Sequence, residues 1–314
     1  MKYAFVFPGQ GSQYVGMGKE LYDNFSTARE VFEEVNDVLS QNLFKIMTEG
    51  PDAELLMTAN TQPAIMANSM AVLRVMEKEY GLDLPRKISL LAGHSLGEYT
   101  ACCAAGVFSL AETAKLLRIR GAAMQKAMPL GKGAMAAIIG VSFKDIEALV
   151  EAASEGEKYC VSANDNSEGQ IVISGHTEAV EKAMAIAPEF GAKKCVKLSV
   201  SAPFHSPLMQ PAQEAMIEAF KNIKAKDAAV PIIPNVLAEK VMDADTIVNA
   251  LIAQVTGTVR WRETMQYFEA ENVTDQVEVG AGKVLTGLAK RDLKNINSFS
   301  VNSISEIENF MNNL

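Results

Sequence analysis

The feature that most constrains this chain is a glycine-bounded bend, Gly93-His94-Ser95-Leu96-Gly97. It lies between an apolar run over 88–92 and a helical pattern over 98–105. A strand that turns directly into a helix leaves no room for side chains beside the bend, which accounts for both glycines. It also lifts the central serine into the open, the setting of a nucleophile elbow. Such a five-residue match also arises by chance, as a plain tight turn. The same strand-to-helix logic recurs at the start, where residues 2–7 read as a strand running into Pro8-Gly9-Gln10-Gly11-Ser12-Gln13. Helical patterns cover 27–40, 62–80 and 111–128. Strands alternating with helices predict a mainly parallel sheet covered by helices, an α/β fold.

The pattern changes after Gly131-Lys132-Gly133. Residues 134–141, 144–153 and 159–163 read as strand, helix and strand. Residues 164–169 read as a turn, and 170–174, 177–190 and 194–200 as strand, helix and strand. This β-α-β-β-α-β order predicts a ferredoxin-like subdomain over 131–200. Residues 1–130 and 201–314 would then form one discontinuous catalytic domain. The later stretch would supply helices near 207–222, 245–254 and 262–271 and a strand at 276–279, with the site between the two units.

Serine chemistry needs a base, and there are three histidines. His94 adjoins Ser95, but neighbours on a sharp bend point apart, so it suits a supporting role. His176 falls at the start of a helix inside the insert. His205, in Ala202-Pro203-Phe204-His205-Ser206-Pro207, begins where the chain returns to the main domain and is the best candidate. The N–H of Leu96, at the helix start, can donate to a developing oxyanion. On the 111–128 helix, Thr113, Leu116, Leu117, Arg120, Ala123, Met124 and Ala127 share a stripe of about 120°, whereas Arg118 falls on the opposite, solvated side. A guanidinium on an apolar stripe demands an anion. The anion is either an internal Asp or Glu, which pattern alone slightly favours, or a substrate carboxylate.

Other features mostly exclude. The 29 basic and 38 acidic residues give a formal charge of −9, which argues against a nucleic-acid partner. The apolar run at 3–7 stops at Pro8, too short for a secretory signal, and no run is long enough to span a membrane. The four cysteines lack metal-ligand spacing. The expectation is a reduced, metal-free, cytoplasmic protein. Gly9-Gln10-Gly11 lacks the third glycine of a dinucleotide fingerprint, and Gly280-Ala281-Gly282-Lys283 lacks the length and hydroxyl of a phosphate loop.

Together these residues resemble the malonyl-CoA:acyl carrier protein transacylases. The markers are residues 7–13, Thr61-Gln62-Pro63-Ala64, the bend with Glu98, Arg120-Gly121, Asn164-Asp165-Asn166-Ser167, Phe204-His205-Ser206 and residues 279–285. The resemblance implies a hydrolase-like domain carrying the ferredoxin-like insert, and Ser95 and His205 as catalytic pair. It also implies backbone N–H groups of Gln10 and Leu96 as oxyanion hole, and Arg120 paired with the malonate carboxylate. Gln254 would orient His205 through its carbonyl, with Gln62, His94, Asn164 and Asn166 around the site. Phe204 would crowd out an α-methyl group, a discrimination of roughly 1–3 kcal/mol. Malonyl-CoA would be the substrate, with no bound cofactor, and acyl carrier protein, bearing phosphopantetheine, a transient partner of a monomer. Carrier proteins are acidic, so docking needs a local basic patch. Lys193, Lys194 and Lys197, or Lys283, Lys290 and Arg291, are the candidates. A serine esterase and a non-catalytic acyl-binding module are the competing readings.

Overall fold

The computed structural model describes residues 1–200 and 202–314. Five parallel strands form the main sheet, in spatial order β7-β2-β1-β8-β9: β1 (Tyr3–Phe7), β2 (Ile88–Gly93), β7 (Ile232–Ile233), β8 (Asp275–Val279) and β9 (Asn297–Val301). All five residues of β1 are buried, as a central parallel strand covered on both faces requires. Its side chains alternate. Tyr3, Phe5 and Phe7 join a core that includes the Thr58–Lys78 helix, while Ala4 and Val6 meet Trp261, Met265 and Phe268 on the other face.

The second sheet is antiparallel, in order β4-β5-β3-β6: β3 (Gly133–Ile139), β4 (Cys160–Ser167), β5 (Gln170–His176) and β6 (Lys194–Lys197). Two helices, Phe143–Ala153 and Thr177–Ile186, cover one face through Ile146, Leu149, Val180 and Ala183. This is the expected ferredoxin-like order. Its return point, residue 201, lies outside the described residues.

Several elements differ from the sequence reading. The predicted turn over 164–169 shrinks to Glu168-Gly169, because β4 continues through Ser167 with two register irregularities. Tertiary partners override the turn preference of Asn164, Asp165 and Asn166. The Asp165 N–H donates to the Val259 carbonyl (2.9 Å), and the Asp165 carboxylate takes two nitrogens of Arg262, the closest at 2.7 Å. β6 ends at Lys197, freeing Leu198 and Val200 to line the cleft. The helix predicted from residue 62 begins at Thr58 and runs on through Pro63. Two elements near the end of the chain have no counterpart in the prediction, nor do β7 and the short helices Lys19–Asn24, Leu43–Glu49, Asp52–Leu55 and Leu84–Lys87. One is the sheet-edge strand β9, whose sequence Asn-Ser-Phe-Ser-Val lacks an apolar run. The other is the Ile304–Asn313 helix beyond it. Gly280-Ala281-Gly282-Lys283 leads into the Val284–Asp292 helix, whose first N–H groups are taken internally. Glu278 accepts from Leu285 N–H (3.1 Å), Thr286 N–H (2.8 Å) and the Thr286 hydroxyl (2.7 Å).

Candidate active site

The bend follows β2, and the first glycine turn follows the adjacent β1, so both loops leave the same edge of the sheet. They touch. His94 N–H donates to the Phe7 carbonyl at 3.0 Å. A Cβ on Gly97 would sit 2.2 Å from that same oxygen, and one on Gly93 would sit 1.9 Å from the Gly97 carbonyl. Only glycine permits this approach.

Ser95 adopts φ 53° and ψ −110°, a strained conformation for a non-glycine residue that costs roughly 1–3 kcal/mol. The surroundings hold it there. Its N–H donates to Asn235 Oδ1 (2.8 Å), and Asn235 Nδ2 donates to the Gly93 carbonyl (2.7 Å), so one buried amide spans the bend. The Ser95 carbonyl accepts from Gln254 Nε2 at 2.9 Å.

His205 arrives from the loop after the insert and places Nε2 2.7 Å from Ser95 Oγ. Its Nδ1 lies 2.8 Å from the backbone carbonyl of Gln254. A carbonyl only accepts, so Nδ1 carries the proton and Nε2 presents its lone pair to the serine hydroxyl. Burial first, and then the neighbouring Arg120 charge, push the His205 pKa down to about 3. The imidazole is therefore neutral and able to accept a proton.

Arg120 is 1% exposed, and its hydrogen bonds end on uncharged oxygens. Nη1 donates to Gln62 Oε1 (2.8 Å), while Nη2 donates to Gln254 Oε1 (2.8 Å) and Ser95 Oγ (3.1 Å). Nε has no partner, and the guanidinium carbon stands 5.4 Å from the centre of the Tyr99 ring. Among the described residues no carboxylate pairs with it, so the internal salt bridge favoured by pattern alone is not formed. An unpaired buried cation is costly, by several kcal/mol. Arg118, expected in solvent, is half-buried and held by Asn60 Oδ1 (2.8 Å) and Gln41 Oε1.

Gln10, Gln62, His94, Leu96, Asn164 and Phe204 line the same pocket as Ser95, Arg120 and His205. His94 does not reach the serine. Its half-buried ring sets Nε2 2.7 Å from Asn166 Oδ1 on β4 and packs against Trp261, tying the bend to the insert. His176 stays beside Tyr159, away from the site. The sequence reading missed Met135, Leu198 and Val200, which form the insert's wall of the pocket. It also missed Asn235 and Glu98. Glu98 is an acid at 0% exposure, whose signal was a lone charge in an otherwise uncharged helical run. Asn235 carried no local signal.

A hydroxyl with a neutral base on one side and an anion-seeking guanidinium on the other is equipped for acyl transfer from a substrate bearing a carboxylate. Comparison with known proteins agrees. Residues 4–308 match the acyl transferase domain family. A malonyl CoA-acyl carrier protein transacylase of Bacillus subtilis is 42% identical over 307 residues, covering 98% of this chain and 95% of the relative. The crystal structure of an acyl-carrier-protein-S-malonyltransferase from Bartonella henselae superposes with a TM-score of 0.97 at 54% identity, covering 99% of each chain. A malonyl-transacylase solved in complex with its type II PKS acyl-carrier protein superposes with a TM-score of 0.95 at 37% identity, covering 100% of each. The chain belongs to the malonyl CoA-acyl carrier protein transacylase family of acyl transferase domains.

Proposed function

We propose that this enzyme moves a malonyl group from malonyl-CoA to the phosphopantetheine thiol of an acyl carrier protein, through a malonyl ester on Ser95. The observation that carries the reading is the placement of Ser95 Oγ, 2.7 Å from His205 Nε2 and 3.1 Å from Arg120 Nη2. As Oγ attacks the thioester carbonyl, its proton passes to His205 Nε2. The oxyanion is met by the N–H groups of Gln10 and Leu96. The carbon–sulfur bond breaks, and CoA leaves with the proton from His205. In the second half the carrier thiol gives its proton to His205 and its sulfur attacks the ester. Ser95 Oγ leaves and recovers that proton.

Arg120 holds the far carboxylate, exchanging neutral acceptors for a charged one, a bond of roughly twice the strength. Gln62 and the Gln254 side chain hold the guanidinium, while the Gln254 backbone carbonyl fixes the His205 tautomer. His94, Asn164 and Asn166 seat the insert, and Phe204 narrows the pocket beside the acyl chain. In this reading the enzyme works as a cytoplasmic monomer without a bound cofactor. Residues 1–130 and 201–314 form the catalytic unit and 131–200 the insert.

For the acidic carrier, the Lys193, Lys194 and Lys197 cluster is favoured, because β6 runs directly into the pocket-lining Leu198 and Val200. Each cluster holds one paired cation, Lys283 of the alternative cluster being paired with Glu306 at 3.4 Å. Lys197 is itself paired with Glu181 (2.6 Å), so Lys193 and Lys194 carry the free charge of the first cluster.

The deciding experiment is intact-protein mass spectrometry after mixing with malonyl-CoA, with and without carrier protein. Wild type gains a malonyl adduct that the carrier discharges, and Ser95→Ala gains none. An adduct on Ser95→Ala would overturn the assignment. Release of free malonate independent of carrier would indicate an esterase instead.

A further inference from the structure

Glu98 is a buried acid for which the transfer mechanism has no use. It sits in the first turn of the Leu96–Ala104 helix, three residues after the nucleophile and fully buried. One carboxyl oxygen, Oε2, accepts from Gln254 Nε2 and from the Asn235 backbone N–H, each at 2.8 Å. The other, Oε1, has no partner.

The chemistry of a primary amide gives this arrangement meaning. The two ends of the Gln254 amide are nearly equal in size and opposite in polarity, and rotation about one bond exchanges them. The Nε2 end faces Glu98 Oε2 (2.8 Å) and the Ser95 carbonyl (2.9 Å), and is 3.3 Å from Asn235 Oδ1. The Oε1 end therefore faces Arg120 Nη2 at 2.8 Å. With the amide reversed, an NH2 group would oppose the guanidinium, donor against donor, and Arg120 would leave its place beside Ser95. The same Glu98 oxygen anchors the backbone of Asn235, whose side chain takes the Ser95 N–H.

We propose that Glu98 is a positioning residue that sets the polarity of the Gln254 amide, thereby aims Arg120, and so determines the preference for acyl groups that end in a carboxylate. This rests on the reading that Ser95 is acylated and that Arg120 binds the substrate carboxylate. Burial raises the Glu98 pKa to about 7, against the opposing pull of the Asn235 N–H, the Gln254 amide and the Arg120 charge. Protonation of the unpartnered Oε1 leaves Oε2 an acceptor. The device thus needs an acceptor oxygen at this point, which glutamine can also supply.

The test is the rate of Ser95 acylation by malonyl-CoA and by acetyl-CoA, followed by quenched-flow mass spectrometry. Glu98→Leu should lower the malonyl-to-acetyl ratio at least about tenfold, whereas Glu98→Gln keeps the ratio within about threefold of wild type. Gln254→Leu should lower the ratio as Glu98→Leu does, and the double variant no further, the non-additivity of residues acting through one another. An unchanged ratio in Glu98→Leu overturns the proposal, as does a loss in Glu98→Gln equal to that in Glu98→Leu. Should Glu98→Leu fail to fold, Gln254→Leu decides, and an unchanged ratio there overturns it. Controls separate this from the underlying reading: acylation of Ser95→Ala, or an intact malonyl preference in Arg120→Ala, overturns that reading and the proposal with it. A malonyl preference lost in Arg120→Ala but kept in Glu98→Leu overturns the proposal alone.

Discussion

The guanidinium of Arg120 donates to the hydroxyl of Ser95 across 3.1 Å. A permanent cation thus touches the atom proposed to become acylated. Its hydrogen bonds end only on neutral oxygens, so in the proposed reaction the anion that the helix stripe demanded is supplied by the acyl group.

Replacing the cation should therefore redirect the enzyme. Arg120→Ala should lower the preference for malonyl-CoA over acetyl-CoA by roughly tenfold to a hundredfold, the equivalent of a charge-assisted hydrogen bond of about 1.5–3 kcal/mol. With its carboxylate no longer tethered, the malonyl ester should also hydrolyse faster. Acylation rates and the lifetime of the Ser95 adduct check both. An unchanged preference would refute the role.

His205 titrates far below an ordinary histidine, at about 3, because burial and then Arg120 disfavour its cation. The ring should stay neutral through pH 6.5, the usual histidine value. Between these two values the unfolded chain binds a proton that the native protein does not. Stability therefore rises with pH across the window and falls as pH drops through 6.5. The His205 ring resonances, followed by NMR against pH, check the first statement; a midpoint near 6.5 would contradict it. A carboxylate on Arg120 should raise the midpoint, since it offsets the neighbouring positive charge.

Gly97→Ala would put a carbon 2.2 Å from the Phe7 carbonyl. Backbone on both sides must then move, and overpacking of this kind costs typically about 1–3 kcal/mol or more. The bend carries Ser95, so acylation should fall further than the loss of stability explains. Thermal melting and adduct formation, measured on the same preparation, check the split. Wild-type acylation in a destabilised Gly97→Ala protein would refute it.

Arg262 clamps Asp165, which is 1% exposed on β4 between Asn164 and Asn166. Arg262→Leu strands that carboxylate and should cost about 3–5 kcal/mol, the usual penalty for breaking a buried pair. Removing both charges with Asp165→Asn in addition should recover much of the loss. Denaturant midpoints of the two variants check this. A single variant as stable as wild type would show that the clamp does not hold the insert.

Legibility in the sequence followed the range of the interactions. The elbow, the alternating strands and helices and the β-α-β-β-α-β order were readable because local backbone geometry writes them in glycine spacing and apolar periodicity. The edge strand β9 was not, since its pairing with β8 supplies what its own side chains lack. The run over 164–167 was read as a turn because its residues favour turns in isolation. Arg262, Val259 and His94 hold it as a strand from elsewhere in the chain.

At the site, residue types singled out Ser95 and offered His205 and Arg120 as candidates, and the resemblance of the ordered motifs to a known family gave the latter two their expected roles. Their chemistry leaves few uses for a serine on a glycine-bounded bend or a cation on an apolar stripe. Which end of the Gln254 amide faces Arg120, and that Glu98 and Asn235 hold the bend, were decided only by folding. Those contacts join residues about 140–160 positions apart, and a hydrogen bond across such a separation leaves no periodicity in the chain that makes it.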